Sequence, residues 1–225
     1  GARSIIFDII FYNWLTIDPN LFKTSIVLLL NSLPYFYGLI NWLSNKAVPG
    51  ALDNLSAVAV CVAVAKIVKD WKNTDKFPKN TEVVIALFGC EEIGSKGAEA
   101  FAKKHASEYN KINTTCVNFD TLHDAKTVKI FKREESTRTD FDPEVYNLLA
   151  RSAKELGINY KVDVQPGISG GTDSSGLKRG GLRTAPIVGI DYQDYFYYYH
   201  TDRDNLNLIN KKRRPCNDFG TDWFN

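Results

Sequence analysis

From about residue 50 onward, apolar and polar residues follow one another in the pattern of an α/β domain. Residues 55–71 are mostly Ala, Val, Ile and Leu, with Lys and Asp only toward the end. This pattern predicts a helix that is buried at its start and exposed at its end. Residues 81–88 are a short run rich in β-branched side chains, and they are predicted to form a central strand of a sheet.

Helices and strands continue to alternate after residue 88. A helix over 143–156 is well delimited, with Asp142 as its cap, Pro143 at its first position and Gly157 as its stop. The other predicted elements are a helix over 95–107 and strands over 114–119, 128–131, 160–164 and 186–190. This alternation implies a mostly parallel sheet with helices on both faces, and ligands collect beyond the carboxyl ends of such strands.

The first 49 residues differ from the rest, and we treat them as an apolar N-terminal segment. Residues 26–43 have roughly the length that a transmembrane helix needs. They also contain Asn31, Pro34 and Asn41, which are costly in hydrocarbon unless a partner helix satisfies them. Two interpretations stay open: a membrane-associated segment, or a buried helix and loop that covers the following domain.

Length and charge narrow the class of protein only slightly. The 225 residues suit one large domain, predicted over 50–210, followed by an irregular tail over 211–225. The net charge of +2 and one short basic run at 211–214 do not indicate a nucleic-acid partner.

Cysteine and methionine usage adds three expectations. The four cysteines have no CxxC spacing, which argues against a zinc finger or a disulfide scaffold. Cys61, Cys90 and Cys116 lie in apolar segments and are expected to be buried free thiols. The sequence contains no methionine, even at position 1, so we expect the chain to lack its true N-terminus. No signal peptide is legible, and the compartment stays open between membrane-associated, extracytoplasmic and other locations.

The candidate chemistry begins at Glu91 and Glu92, which directly follow the apolar run 83–90. Two adjacent carboxylates at the end of a buried strand are costly to desolvate, and a divalent metal can stabilise one while the other handles protons. Asp53, Asp120 and His200 occupy comparable positions at the start or end of apolar segments. Each alone has an ordinary structural explanation, such as helix capping for Asp53. Together they predict a dispersed metal site and a metal-dependent hydrolase.

Five ordered motifs resemble peptidase family 28, the zinc family of aminopeptidases, glutamate carboxypeptidases and glutaminyl cyclases. They are Gly-Ala-Leu-Asp-Asn at 50–54, Phe-Gly-Cys-Glu-Glu-Ile-Gly at 88–94, Asn-Phe-Asp at 118–120, Gly-Thr-Asp at 171–173 and Tyr-His-Thr-Asp-Arg-Asp at 199–204. The resemblance implies a three-layer α/β/α sandwich around a mixed sheet and a site with two zinc ions.

The same resemblance implies a role for each matching residue. Asp53 would bridge two metals, Glu92 and His200 would bind one of them, and Asp120 would bind the other. Glu91 would be the general base that takes a proton from zinc-activated water and returns it to the leaving amine. Asp173 and Asp204 would be supporting residues.

One family element has no counterpart. The family places a His-x-Asp element upstream of the Asp53 motif, but the histidines of this chain are His105, His123 and His200. We expect truncation before that element, with a weak second metal or a single-metal site as alternatives. His123, shortly after Asp120, is a further candidate for the missing ligand.

Four functions are carried forward from the sequence. The first is a metallo-aminopeptidase acting on peptides, and the second is a single-zinc glutaminyl-peptide cyclotransferase using Asp53, Glu92 and His200. The third is a serine hydrolase, because residues 167–171 match G-x-S-x-G around Ser169, with His200 downstream. The fourth is a peptidase-like binding domain without catalysis. The residues that would bind the substrate side chain are not identified by any motif.

Overall fold

The computed structural model describes residues 19–41, 47–167, 169–192 and 197–207. The chain divides into two compact units, Gly1–Ala47 and Val48–Asn225. In the first unit, helix α1 (Pro19–Asn41) is 23 residues long and contains Pro34 in its interior. The apolar run predicted at 26–43 is therefore helical up to Asn41, whereas residues 42–46 and the aromatic stretch 5–17 lie outside the described residues.

Among the described residues, no helix combines the length and the apolar character that crossing a bilayer requires.

The second unit contains a five-stranded mixed sheet. Strand β5 (Thr184–Gly189) lies between β1 (Cys116–Leu122), to which it is parallel, and β2 (Val128–Glu134), to which it is antiparallel. Strand β2 also pairs in parallel with β4 (Tyr160–Gln165) and antiparallel with the short β3 (Thr139–Asp140). The carboxyl ends of β1 and β5 therefore share an edge of the sheet with the first residues of β2 and β4.

Helices flank this sheet and bury its apolar side chains. Helix α2 (Leu55–Trp71) packs on β1, and α4 (Pro143–Glu155) packs on β2, β4 and β5. Helix α3 (Lys96–Tyr109) packs mainly on the short α5 (Asp173–Arg179). One core cluster joins the sheet to α4, and a second joins α3 to α5; their buried members include Phe131, Val145 and Val188 in the first and Ala98, Ala102 and Leu177 in the second. The predicted α/β architecture with a mixed sheet and flanking helices is confirmed.

Local signals placed most of the elements correctly. Helix α2 has the predicted bounds, and α3, α4 and strands β1, β2, β4 and β5 fall within a few residues of theirs. Helix α4 begins as expected, because the Asp142 carboxylate accepts hydrogen bonds from the backbone N–H groups of Glu144 and Val145 at 3.0 and 3.3 Å. It ends before Gly157, whose φ of +67° suits glycine.

The prediction of a central strand at 81–88 is wrong. These residues form no strand, and Val84 and Leu87 are 50% and 58% exposed. A segment forms a strand only where a neighbouring strand pairs with its backbone, and among the described residues no strand pairs with 81–88. For the same reason the expectation of a buried Cys90 is wrong: this thiol is exposed, whereas Cys61 and Cys116 are partly buried, and all three are free.

Replacement of Asp142 should separate the two contacts that the side chain makes. Asp142→Ala removes both the helix cap and the 3.1 Å ion pair with Arg183, and should lower the free energy of unfolding by about 1–2 kcal/mol. Asp142→Asn keeps the cap and should cost about half of that or less, because asparagine caps as well as aspartate. Urea denaturation measures both variants, and equal losses would assign the effect to the ion pair instead.

Candidate metal centre

The loop that carries Asp53 is held in shape by Gly50. Gly50 has a φ of +62°, and its carbonyl accepts a hydrogen bond from the Leu55 backbone N–H at 2.9 Å. A Cβ atom at position 50 would lie 2.6 Å from the backbone oxygen of Asp53, which is too close for any side chain. Glycine at this position therefore allows the chain to turn sharply and present Asp53 at the start of α2.

Asp204 fixes the same loop from a distant part of the chain. Its buried carboxylate accepts hydrogen bonds from the backbone N–H groups of Leu52 at 2.7 Å and Asp53 at 3.0 Å. Because both carboxylate oxygens are used, the peptide planes on either side of Leu52 are fixed. This supports the expectation that Asp204 positions a ligand rather than binding metal itself.

The end of β1 is tied to the start of α2. The backbone N–H of Thr121 donates to Asn54 Oδ1 at 3.2 Å, and that of Leu122 donates to Ser56 Oγ at 3.0 Å. The register of β1 against β5 shifts between Asp120 and Leu122. These contacts place the buried Asp120, whose carboxylate accepts a hydrogen bond from Thr121 Oγ1 at 2.8 Å, in the same cavity as Asp53 and Glu91.

Glu91 and Glu92 lie in a tight turn before α3. The carbonyl of Glu91 accepts hydrogen bonds from the backbone N–H groups of Gly94 and Ser95, both at 2.8 Å. Arg179 of α5 donates to the Gly94 carbonyl at 2.7 Å, and Ser95 Oγ donates to the Thr172 carbonyl at 3.1 Å. The turn is thus fixed by its own backbone and by the segment around α5.

His200 lies close to Asp53 and Glu92. Its imidazole stacks on the Tyr199 ring, with centroids 3.8 Å apart and planes 23° apart. The Nε2 atom lies 3.0 Å from Glu92 Oε2 and 3.6 Å from Asp53 Oδ2. The stack and the two carboxylates together orient the ring toward the cavity.

Asp53, Glu92 and His200 therefore converge, although they are distant in sequence. Each offers one ligand atom, and these atoms all lie within 4.8 Å of one another. Two carboxylate oxygens and one imidazole nitrogen are a donor set that zinc accepts. Among the described residues this is the one group of three such donors, and neither Asp120 nor His123 is part of it.

The carboxylates in the cavity repel one another. Burial, followed by the charge of Glu92, raises the pKa of Asp53 to about 6. Burial and then Glu92 and Asp173 raise the pKa of Glu91 to about 8. Asp120 is buried too, and burial together with the Asp53 charge raises its pKa well above the ordinary value. Such a concentration of acids favours a bound cation.

The pKa values of Glu92 and His200 shift toward the charged forms, because the two side chains form a hydrogen-bonded pair. The hydrogen bond to His200 lowers the pKa of Glu92, and the same hydrogen bond raises the pKa of His200. The pair is an ionic contact when the imidazole is protonated. A metal ion would have to displace the imidazole proton in order to bind there.

Asp173 contacts the site from the start of α5. It is buried, and its Oδ1 accepts no hydrogen bond within the part of the chain that the structure describes. Burial and then the Glu134 charge raise its pKa to about 6. Its negative charge in turn contributes to the raised pKa of Glu91.

Sequence reasoning missed Glu134, which is fully buried at the end of β2. Thr172 Oγ1 donates to it at 2.6 Å, Thr137 Oγ1 donates at 3.0 Å, and Ser175 Oγ donates as well. Glu134 thereby holds Thr172, the residue before Asp173. Its charged neighbours Lys132 and Arg133 made this end of β2 resemble an exposed segment.

Ser169 and His123 are two further candidates from the sequence, and their contacts differ from those that their candidate roles require. Ser169 Oγ donates to the Pro166 carbonyl at 2.8 Å, and His200 Nε2 faces Glu92 and Asp53, so the two do not form a nucleophile–base pair. His123 packs edge-on against Tyr198 with ring centroids 4.9 Å apart, and its Nδ1 lies 3.3 Å from the Tyr198 hydroxyl. Among the described residues His123 belongs to no three-donor group, so its role as a substitute for the missing histidine stays a prediction.

Family comparison agrees with this geometry. The model of peptidase family M28 matches residues 37–214, which include the Asp53, Glu91, Glu92, Asp120 and His200 positions. The chain belongs to peptidase family M28.

Solved structures show the same fold at low identity. The LapA aminopeptidase of Legionella pneumophila is 21% identical with a TM-score of 0.55, and the match covers 73% of this chain and 43% of that one. BSAP, a zinc aminopeptidase from Bacillus subtilis, is 20% identical with a TM-score of 0.54 and coverages of 73% and 40%. An aminopeptidase from Aneurinibacillus sp. strain AM-1 is 20% identical with a TM-score of 0.55 and coverages of 73% and 36%.

The chain therefore aligns with less than half the length of these structures. Among curated proteins, none matches the chain.

Loss of the Asp204 carboxylate should weaken metal binding without removing a ligand. Asp204→Ala should lower zinc affinity about 10-fold or more, because the Asp53 loop loses two hydrogen bonds. Asp204→Asn should lose less, since one amide oxygen can still accept one of them. The exposed Asp202→Ala is the matched control and should bind zinc like the wild type. Competition with a chromophoric chelator measures the affinities, and wild-type affinity in Asp204→Ala would contradict the positioning role.

The metal-free protein should become less stable as the pH rises from about 5 to about 8. In this interval the folded chain holds protons that the unfolded chain releases, because the pKa of Glu91 is raised to about 8 and those of Asp53 and Asp173 to about 6. Stability falls with pH wherever the folded state binds more protons, so the thermal midpoint should drop by about 5 °C. Calorimetry in the presence of a chelator measures the thermal midpoint of the metal-free protein. With zinc the drop should be smaller, and a metal-free midpoint that rises with pH would contradict the shifts.

Proposed function

We propose that this chain acts as a zinc-dependent aminopeptidase, a hydrolase that removes N-terminal residues from peptides. The observation that carries the proposal is the convergence of Asp53, Glu92 and His200 beside Glu91. Membership of peptidase family M28 and the aminopeptidase identity of the structural neighbours support it.

Asp53, Glu92 and His200 would hold the first zinc ion through two carboxylate oxygens and the imidazole Nε2. When bound, zinc supplies a Lewis acid that polarises the scissile carbonyl and lowers the pKa of water. Asp204 keeps Asp53 in place by its two backbone hydrogen bonds, and the Tyr199 stack keeps the His200 ring oriented.

Glu91 would transfer the proton. Its carboxylate borders the same cavity as Asp53 but does not belong to the three-donor set, so it remains available to a water molecule. It would accept a proton from the attacking water and return it to the leaving amine. The pKa of Glu91 is raised mainly by burial and by Glu92, and neutralisation of Glu92 by a cation would lower it toward the range of a working base.

If a second zinc ion binds, Asp120 would be one of its ligands. It lies in the cavity beside Asp53, and the mutual repulsion of the two carboxylates favours a shared cation. Asp173 would be a supporting residue whose charge faces Glu91. We propose one or two zinc ions.

A second function is favoured by the three-donor set itself. Asp53, Glu92 and His200 form a complete single-metal site without Asp120, which fits a glutaminyl-peptide cyclotransferase. Both activities act on the N-terminus of a peptide, so a peptide is the proposed partner in either case.

Replacement of the proposed base should separate binding from chemistry. Glu91→Gln should reduce kcat at least about 100-fold, because general-base catalysis by a positioned carboxylate is lost. Zinc content by elemental analysis should stay at the wild-type level, since Glu91 is outside the donor set. Glu155→Gln, an exposed position on α4, is the matched control and should keep full activity.

The substrates of this experiment distinguish the remaining functions. Peptides that begin with leucine and with glutamine report aminopeptidase and cyclotransferase activity through their different products. Full activity of Glu91→Gln would falsify its assignment as the base. A wild-type protein that binds no zinc would instead indicate a binding domain without catalysis.

A further inference from the structure

A second cavity lies beside the metal centre and has a different character. It has a volume of about 330 Å³ and is lined by Lys126, Lys129, Lys161, Tyr160, Tyr192 and Ile190, among others. We call it the lysine cavity. Ile190 borders this cavity and also the cavity that contains Asp53, Glu91 and Asp120, so the two share a wall.

The strand register connects the two cavities directly. Asp120 of β1 pairs with Val188 of β5, Val188 pairs with Lys129 of β2, and Lys129 pairs with Lys161 of β4. Residues paired in this way point to the same face of a sheet. Asp120, Val188, Lys129 and Lys161 thus form one row across four strands, which begins at the metal centre and ends in the lysine cavity.

The charges of the lysine cavity are only partly neutralised. Lys161 forms a 2.7 Å ion pair with Asp163, and Asp191 also lines the cavity. Lys129 Nζ donates to the Ile190 carbonyl at 3.0 Å and lies 3.8 Å from the centre of the Tyr192 ring. Within the described residues, no carboxylate lies within ion-pair distance of Lys126 or Lys129. The cavity therefore presents ammonium groups next to aromatic rings, a combination suited to a carboxylate on an apolar stem.

The distance along the row sets the length of the ligand. Neighbouring strands are about 4.8 Å apart, so Lys129 and Lys161 lie about 10–14 Å from Asp120 along the row. An extended peptide advances about 3.3 Å per residue, and this distance corresponds to about three to four residues.

We propose that the lysine cavity binds a carboxylate of the peptide substrate three to four residues downstream of the residue that is removed. The inference rests on the proposed peptidase function and adds a substrate class to it, namely peptides with an acidic side chain or a C-terminal carboxylate at that distance.

Three peptides test the proposal on the zinc-loaded full chain. They are the amides Leu-Ala-Ala-Glu-Glu and Leu-Ala-Ala-Gln-Gln, and the second sequence with a free C-terminal carboxylate. The glutamate peptide should be cleaved with a kcat/KM about fivefold or more above that of the glutamine amide, mainly through KM. The free acid shows whether a terminal carboxylate can replace the side chain.

Lysine variants test whether the preference for the glutamate peptide arises from the lysine cavity. The double variant Lys126→Gln/Lys161→Gln should reduce the ratio of the kcat/KM values for the glutamate and glutamine amides at least about twofold, because Lys129 alone remains in the cavity, while cleavage of the glutamine amide stays unchanged. These side chains are exposed, so the variant tests the cavity without the packing loss expected for Lys129. Lys132→Gln, an exposed lysine on β2 outside the cavity, is the matched control and should keep the preference.

The outcomes separate this inference from the proposed function. Cleavage of all three peptides at equal rates would overturn the lysine cavity as a substrate site and leave the peptidase function intact. If no peptide is cleaved, the proposed function fails, and calorimetric titration with the same peptides decides the inference. The inference would still be supported if the wild type binds the glutamate peptide more tightly than the glutamine amide and the double variant does not. Equal binding of all three peptides to the wild type would overturn the inference.

Discussion

The mutual repulsion of buried carboxylates is the constraint around which this structure is arranged. Asp53, Glu91 and Asp120 border one cavity, and the pKa of each is raised by burial and by its acidic neighbours. Packing alone gives no reason to assemble such a group, because each unpaired buried charge costs free energy. The cost becomes understandable where a divalent cation binds and offsets the repulsion. The rest of the site consists of contacts that keep these acids in place.

Those contacts come from segments far apart in sequence, which explains how much the sequence could predict. The helices α2, α3 and α4 and the strands β1, β2, β4 and β5 depend on local periodicity and caps such as Asp142, and they were predicted. The convergence of Asp53, Glu92 and His200 was predicted from their positions at the ends of apolar segments and from ordered motifs that resemble a family. The strand at 81–88 failed because a strand requires a neighbouring edge, which local sequence does not encode. Glu134 was missed because its burial depends on hydroxyl groups from residues 137, 172 and 175.

The mixed direction of the strands explains why opposite charges lie along one edge. Because β2 runs antiparallel to β5, the first residues of β2 and β4 lie at the same edge as the last residues of β1 and β5. In a fully parallel sheet the strand starts would lie at the opposite edge. Asp120 therefore comes from the carboxyl end of β1, and Lys129 and Lys161 come from the amino ends of β2 and β4. In the binding mode that we propose, a peptide whose amine end lies at the acids extends toward the lysines.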